Sequence, residues 1–249
     1  MRRGLVASRA AAQRAIDESR VRVAGVAEPR AASMIAPATA VSVVDPFKAW
    51  ASRGGDKLAA ALAAFEIDPA GRTCLDVGAS TGGFTDVLLA GGAASVVAVD
   101  VGYGQLVWRL RQDDRVTVVD RTNFRHADVA ALGAPFDIVV VDVSFISVTL
   151  LAARLAAAGQ ATTDYVILVK PQFEVGKGQV GKGGIVTDPA LHRSTVEAVA
   201  NGMERAGVGA RGVIVSPIHG AKGNTEFLLH LRPGPAAPIS ANLDEVTTT

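Results

Sequence analysis

Residues 73–89 read TCLDVGASTGGFTDVLL. Thr73 to Val77 is a short apolar run with one acid, Asp76, and it ends in a turn holding Gly78, Gly82 and Gly83. Glycines there let backbone approach backbone or a ligand closely. Phe84 opens the apolar helical stretch that follows. A strand that runs through a glycine turn into a helix is the first unit of an α/β sheet, with free helix N–H groups facing the turn.

Outward from this unit the same alternation continues. Apolar runs predict strands at Ser95 to Asp100, Val116 to Val119, Phe136 to Asp142, Tyr165 to Lys170, Gly212 to Ser216 and Glu226 to Leu231. Continuous Val, Ile and Leu runs mean strands covered on both faces. Helical stretches are expected near 84–91, 104–113, 148–159 and 189–206, and Leu58, Leu62 and Phe65 mark one more helix face before the first strand. The fold expected is a seven-stranded, doubly wound, Rossmann-like α/β domain. It spans residues 57–232, with a loose tail over 233–249 after Pro233, Pro235 and Pro238.

Upstream the pattern differs. Residues 4–20 read as a helix that Ser8 can cap, followed by short strands at Val21 to Val23 and Ala40 to Val44 with a turn around Gly25. This segment, 1–47, has a thin apolar stripe and is expected to be a small separate module, joined through a linker over 48–56. The net charge of +1 conceals an asymmetry: residues 1–57 carry +5 and the remainder −4. A basic module on a mildly acidic body points to a polyanion such as nucleic acid.

Other features exclude function classes. The one cysteine, Cys74, lies in an apolar strand and is expected only to pack. It rules out an internal disulfide, and with four scattered histidines (His126, His192, His219, His230) no metal site is expected. No apolar run is long enough to cross a membrane as a helix, and the first 25 residues lack the apolar centre of a signal peptide, so no membrane partner is expected and the expected compartment is the cytoplasm. Trp50 and Trp108 are expected to pack.

The turn also narrows the ligand. Asp100 ends the second strand 24 residues after Asp76, where an acid can accept hydrogen bonds from both hydroxyls of an adenosine ribose. The dinucleotide pattern G-x-G-x-x-G needs a second glycine where Ser80 stands, which disfavours NAD. Asp76 beside the turn suits a cationic ligand, such as the sulfonium and ammonium of S-adenosylmethionine (SAM). Four charged residues then stand at edges of apolar segments: Lys57, Asp142, Lys170 and Glu226. Asp142 and Lys170 end successive strands, so both should emerge at the rim that bears the glycine turn. A charge at the end of a buried strand is costly unless it is paired or used. A lysine among carboxylates suits deprotonation of an alcohol such as a ribose 2′-hydroxyl.

The motifs SRGGDKL, LDVGASTGGFTD, VDVSFIS, VKPQFEVGK and GNTEF occur in this order. Together they resemble the TlyA (hemolysin A) family of ribosomal RNA methyltransferases, whose catalytic domain is similar to FtsJ-type 2′-O-methyltransferases. The resemblance covers residues 4–231. It implies transfer of a methyl group from SAM to a ribose 2′-hydroxyl of cytidine in 16S or 23S rRNA, on naked RNA or ribosomal subunits. It implies a catalytic tetrad at Lys57, Asp142, Lys170 and Glu226, with SAM contacts at Gly82, Phe84 and Asp100. Asp76, Gly78, Ser80, Gly83 and Asp142 belong to the same expected cofactor site. Asn123 in RTNFR falls where FtsJ enzymes tend to carry an acid on the adenine side.

The segment RGLVASRAAAQRAI with VRVAG resembles an S4 RNA-binding domain. Family members begin some residues earlier, with an Arg-Leu-Asp-type helix start, so this module is expected to be incomplete at its amino terminus. Arg3, Arg9, Arg14, Arg22, Arg53, Lys177 and Lys182 are the expected RNA contacts, giving affinity and salt dependence but little sequence choice. Two readings compete with this one. They are a nicotinamide-dependent oxidoreductase, and a non-catalytic RNA-binding or hemolysin-like protein; no pore is expected.

Overall fold

The computed structural model describes residues 5–6, 8–17, 20–23, 26–27, 31–36, 39–43, 50–176 and 178–247. The chain divides into two compact units, Met1–Ala49 and Trp50–Thr249. The boundary lies inside the stretch expected as a linker, and Trp50 to Arg53 belong to the second unit. Trp50 packs there against Gly55, as expected of it; a Cβ on Gly55 would lie 2.3 Å from the indole.

In the first unit, α1 spans Arg9–Asp17. Ser8 Oγ accepts the Ala11 N–H at 3.1 Å, a cap at the third helical position, and Ala15 is the buried residue of the helix. Strands β1 (Val21–Val23), β2 (Val26–Ala27) and β3 (Val41–Val43) form an antiparallel sheet in the order β2-β1-β3. Arg22 stands opposite Ala27 on one side and Ser42 on the other. A two-residue strand such as β2 has no alternation to read, so its sequence does not announce it.

The second unit begins with α2 (Gly54–Ala64). Then come β4 (Thr73–Val77), α3 (Gly83–Ala90), β5 (Ser95–Val99), α4 (Trp108–Arg111), β6 (Val116–Val119), β7 (Phe136–Val141) and α5 (Ala152–Ala157). The rest is β8 (Gly159–Val169), α6 (Pro171–Glu174), α7 (Pro189–Arg205), β9 (Val208–Val215), β10 (Phe227–Pro233) and α8 (Ser240–Thr247). Seven strands make one sheet in the order β6-β5-β4-β7-β8-β10-β9. β4 to β8 pair in parallel, and β10 runs antiparallel to both β8 and β9.

Alternate strand residues feed two cores. Leu75, Val139, Ile167 and Leu229 face the side covered by α5, α7 and α8, whereas Cys74, Ile138, Val166 and Leu228 face α2 and α3. All eight are fully buried, which is why these strands read as unbroken apolar runs. Each such Leu, Ile or Val contributes about 1.5–3 kcal/mol of burial. α7 starts where the sequence says it should: Asp188 Oδ1 accepts the Ala190 N–H at 2.9 Å and Pro189 takes the first position.

Three expectations are corrected. The helix expected over 104–113 shrinks to the single turn of α4. Side-chain acceptors claim the preceding backbone instead: Asp100 takes the Gly102 N–H at 2.7 Å and Asp120 the Gly104 N–H at 3.1 Å. Trp108, at the start of α4, is 74% exposed and does not pack into the core. The tail is not loose through its length. The Ala237 N–H bonds Ala210 O at 2.9 Å, and α8 lays Leu243 into the α7–β9 core at 3% exposure. Leu243 and Val246 alone make too thin a stripe to read among polar residues.

Charge also secures the rim where the parallel strands begin. Asp164 accepts hydrogen bonds from Arg72 Nη1 and His230 Nε2 and pairs with Arg232 Nε, each at 2.9 Å. Burial works to raise the Asp164 carboxyl, but the hydrogen bonds from His230 and Arg72 and the charges of Arg232 and Arg72 outweigh it and hold it below the usual range. Among the described residues, no helix is long and apolar enough to cross a membrane.

Candidate active site

The opposite rim gathers the polar residues. Parallel strands β4, β5, β7 and β8 end there in Gly78, Asp100, Asp142 and Lys170. Because β10 is antiparallel, Glu226 at its beginning arrives at the same rim. Strand order reverses between β4 and its neighbours β5 and β7, the place where open α/β sheets bind ligands.

Gly78 needs to be glycine on two counts: its φ is +89°, and a Cβ would stand 2.4 Å from Asp142 O. The β4 turn therefore lies against the end of β7. Asp100 ties the other side, its Oδ2 accepting the Ser80 N–H at 2.8 Å while Oδ1 holds Gly102. Between these turns is a cavity of about 450 Å³, lined by Gly78, Ser80, Asp100, Asn123 and Asp142. Its apolar wall includes Val99, Val101, Phe124, Ile146 and Leu151. Asn123 Oδ1 accepts the Arg125 N–H at 3.1 Å and so fixes the turn that presents Phe124.

A second cavity of about 250 Å³ adjoins the first through Gly78, Ser80 and Asp142, and is walled by Arg53, Lys57, Gly83 and Phe84. An apolar slot for a base and a carboxylate at the ribose position fit an adenosine, and the second cavity continues from it past Asp142, its one carboxylate. Two expected contacts lie elsewhere. Gly82 packs under Leu106 and Leu110, outside both linings. Asp76 has no exposed surface: Thr85 Oγ1 donates to its Oδ2 at 2.6 Å, and Oδ1 is buried without a partner. It supports the turn from beneath rather than facing a ligand.

Burial pushes the Asp76 carboxyl up to about 7, with Asp142 and Asp100 adding to the rise and the Thr85 bond opposing it. A folded value above the unfolded one means that stability is lost as pH rises from about 4 to about 7. The linked cost approaches about 4 kcal/mol above that range. Asp76→Asn keeps an acceptor for Thr85 and removes the charge. Urea unfolding should find the stability of the variant relative to the parent clearly greater at pH 8 than at pH 5. An equal difference at both pH values would show that Asp76 does not titrate as a buried acid.

A third cavity, about 390 Å³, is lined by Lys57, Lys170, Glu226, Phe145 and Phe173. Two ion pairs stand where the cavities meet. Lys57 Nζ lies 2.5 Å from Glu226 Oε2, and Lys170 Nζ lies 2.5 Å from Asp142 Oδ1. The second contact is an ion pair without hydrogen-bond alignment, and Lys170 donates to Ser144 Oγ at 2.8 Å. Lys57, Lys170 and Glu226 are buried and Asp142 is half-buried. α2 delivers Lys57 because Leu58, Ala61 and Leu62 anchor that helix in the core. The four residues expected to act together are thus together.

The site also contains groups the sequence does not single out. Phe145 is 90% exposed, has a φ of +65° and sets its ring 5.0 Å from that of Phe173. An exposed phenylalanine in a left-handed conformation is held at a cost, which marks it for use. Glu174 pins the Phe145 loop, accepting Ser147 Oγ at 2.5 Å and the Val148 N–H at 2.8 Å. Gln172 Nε2 donates to Glu226 Oε1 at 3.3 Å. Beside the first cavity, Arg121 lies over the exposed Tyr103 ring, 4.2 Å from its centre.

Of the residues expected to meet RNA, Arg9 and Arg14 are exposed on α1, Arg22 is half-buried on β1, and Arg53 lines the second cavity. Arg3 and Lys177 lie outside the described residues. Lys182 sits in a short 3₁₀ turn, Lys182–Gly184, and its side chain is likewise outside them.

Comparison with known proteins gives this rim its family. Residues 50–233 match the FtsJ-like methyltransferase family. The chain is 50% identical over 242 residues to the Mycobacterium tuberculosis 16S/23S rRNA (cytidine-2′-O)-methyltransferase TlyA, covering 97% of this chain and 90% of that one. It is 40% identical over 228 residues to Hemolysin A of Brachyspira hyodysenteriae, covering 91% and 95%. A solved hemolysin-type chain from Streptococcus thermophilus superposes with a TM-score of 0.80 at 38% identity, over 99% of this chain and 91% of that one. The oxidoreductase reading is thereby set aside. The chain belongs to the FtsJ-like methyltransferases, in the TlyA (hemolysin A) family, and the seven-stranded sheet with its rim of paired charges is the family's methyltransferase domain.

Proposed function

We propose that the protein methylates the ribose 2′-hydroxyl of cytidines in 16S or 23S ribosomal RNA, using SAM. The observation that carries this reading is the pair of lysine–carboxylate contacts at the meeting point of three cavities. The 450 Å³ cavity is the size and character for adenosine. Asp100 would take the ribose hydroxyls, and Phe124 and Val101 would flank the base. Gly78, Ser80, Gly83 and Phe84 would line the path of the methionine portion toward Asp142. SAM, when bound, supplies a methyl group on a positively charged sulfur, and the S–C bond breaks as the O–C bond forms.

The chain's own residues prepare the acceptor. Lys170 Nζ, in its neutral form, takes the proton of the 2′-hydroxyl. Asp142 and Ser144 hold that amine in place. Glu226 holds Lys57 across the third cavity, where Lys57 Nζ can donate to the hydroxyl oxygen. Proton removal of this kind contributes about 10²–10⁴ in rate, and alignment of the hydroxyl contributes at least as much. Phe145 offers a ring face to the target base, since base–aromatic stacking needs an exposed ring beside the reacting ribose.

An RNA substrate fits the rest of the molecule. The first unit would serve as the S4-like RNA-binding module, with Arg9 and Arg14 facing phosphates. In the second unit, Tyr103 and Trp108 are exposed, and Arg121 lies over the Tyr103 ring. Reversing Arg9 and Arg14 to Glu is expected to weaken binding of ribosomal RNA by about tenfold or more at low salt, with SAM affinity intact. Filter binding and calorimetry measure the two; unchanged RNA affinity would remove α1 from the interface. The activity itself is tested by incubating the protein with unmodified ribosomal RNA and methyl-labelled SAM, then digesting to nucleosides. Label should appear in 2′-O-methylcytidine, and label confined to a base-methylated nucleoside would contradict the reading.

A further inference from the structure

GNTEF supplies Glu226 to the tetrad, but its asparagine has no part in the chemistry above. Asn224 is 1% exposed. Its Oδ1 accepts the Val186 N–H at 2.9 Å, its Nδ2 donates to Gly184 O at 2.9 Å, and its carbonyl accepts the Gly220 N–H at 2.9 Å. Val186 is gripped from its other side as well, its carbonyl lying 2.8 Å from Nε2 of the buried His192 on α7. One side chain thus fastens the returning end of the glycine- and lysine-rich segment 176–186 to the turn that leads into Glu226.

That fastening reaches the third cavity from two sides. Gly184, Gly220 and Asn224 all line it, together with Lys170 and Glu226. Gly220 comes so near that a Cβ there would lie 2.4 Å from Glu226 Oε1. Both bonds of the Asn224 side chain go to the backbone of this returning end, at Gly184 and Val186. An amide does this where a carboxylate would not: it accepts from one N–H and donates to one C=O at the same time.

We propose that Asn224 is a positioning residue for the RNA strand: it sets segment 184–186 against the rim and so fixes the mouth of the pocket that receives the target nucleotide. The inference rests on the proposed reading of the third cavity as the target pocket. Asn224 touches neither the reacting atoms nor the cofactor cavity, so its loss should act on RNA capture rather than on the chemical step.

The test uses the full chain, unmodified ribosomal RNA and labelled SAM. Asn224→Ala is expected to raise KM for RNA by about tenfold, the loss of two buried hydrogen bonds. It should change kcat less than about threefold and leave SAM affinity unaltered. Hydrogen exchange should show the Val186 amide losing its protection while β7 and β8 keep theirs. Asn224→Asp covers the case in which the alanine variant does not fold. It keeps an acceptor for Val186 and so its protection, but sets a buried carboxylate against Gly184 O, and should raise KM at least as far as Ala does. A fall in kcat at constant KM would overturn the proposal by showing that Asn224 acts through Glu226. So would unchanged KM, or, in Asn224→Ala, unchanged exchange at Val186. If the parent protein does not methylate ribosomal RNA at all, the function reading fails, and the exchange result at Val186 still decides whether Asn224 holds the segment.

Discussion

Lys170→Ala is expected to lower methyl transfer by about 10³ or more while SAM still binds. Lys170 is the buried amine held between Asp142 Oδ1 and Ser144 Oγ. Alanine removes the proton acceptor and leaves that place to water, which is neither aligned nor basic enough to replace it. The cofactor cavity is not lined by Lys170, so calorimetry should find SAM affinity within about threefold of the parent. Lys170→Arg makes the test sharper. Arginine retains the charge and the pairing with Asp142, but its guanidinium does not give up a proton in proteins. The Arg variant should fold as well as the parent and be as inactive as the alanine variant. Near-normal turnover in Lys170→Arg would mean that the position supplies only charge.

Asp100→Ala is expected to lower SAM affinity by about 10² or more. Hydrogen bonds to a charged group are worth about 1.5–3 kcal/mol each, and Asp100 is placed to accept two from a ribose. The same carboxylate holds the Ser80 and Gly102 N–H groups on the two sides of the cavity. Its removal frees the glycine turn as well as the ribose. Asp100→Asn keeps one acceptor oxygen without the charge, sets its NH2 against the other N–H, and should lose about tenfold. At saturating SAM the kcat of both variants should fall far less than their affinity, because Asp100 stands away from the reacting atoms. A kcat loss at unchanged SAM affinity would move Asp100 out of the cofactor site.

The sheet was legible because its strands are covered on both faces. Val139, Val140 and Val141, all fully buried, can only be a run of this kind. The charged strand ends Asp142 and Lys170 were legible for the same reason: each interrupts a run whose burial makes a charge expensive. Glu226 required one thing more, the reversed direction of β10, which brings a residue at a strand's beginning to the rim of strand ends. Asp76 shows where pattern stops. A residue before a glycine turn has a fixed place in the chain, but which way its carboxylate points depends on Thr85, nine residues on. Phe145 carries no periodic signal, since its φ and its exposure are set by the Glu174 clip from another loop. The α4 loop and α8 were misread because side-chain acceptors in one case, and two apolar residues in the other, decide between helix and coil.

The central claim is that this rim methylates cytidine riboses in ribosomal RNA. Mapping ribose methylation at nucleotide resolution, in ribosomal RNA from cells with the gene, without it, and with the Lys170→Ala form, tests it most directly. The account predicts one or more 2′-O-methylcytidines present only with the active gene. Identical ribose-methylation maps in all three would contradict it.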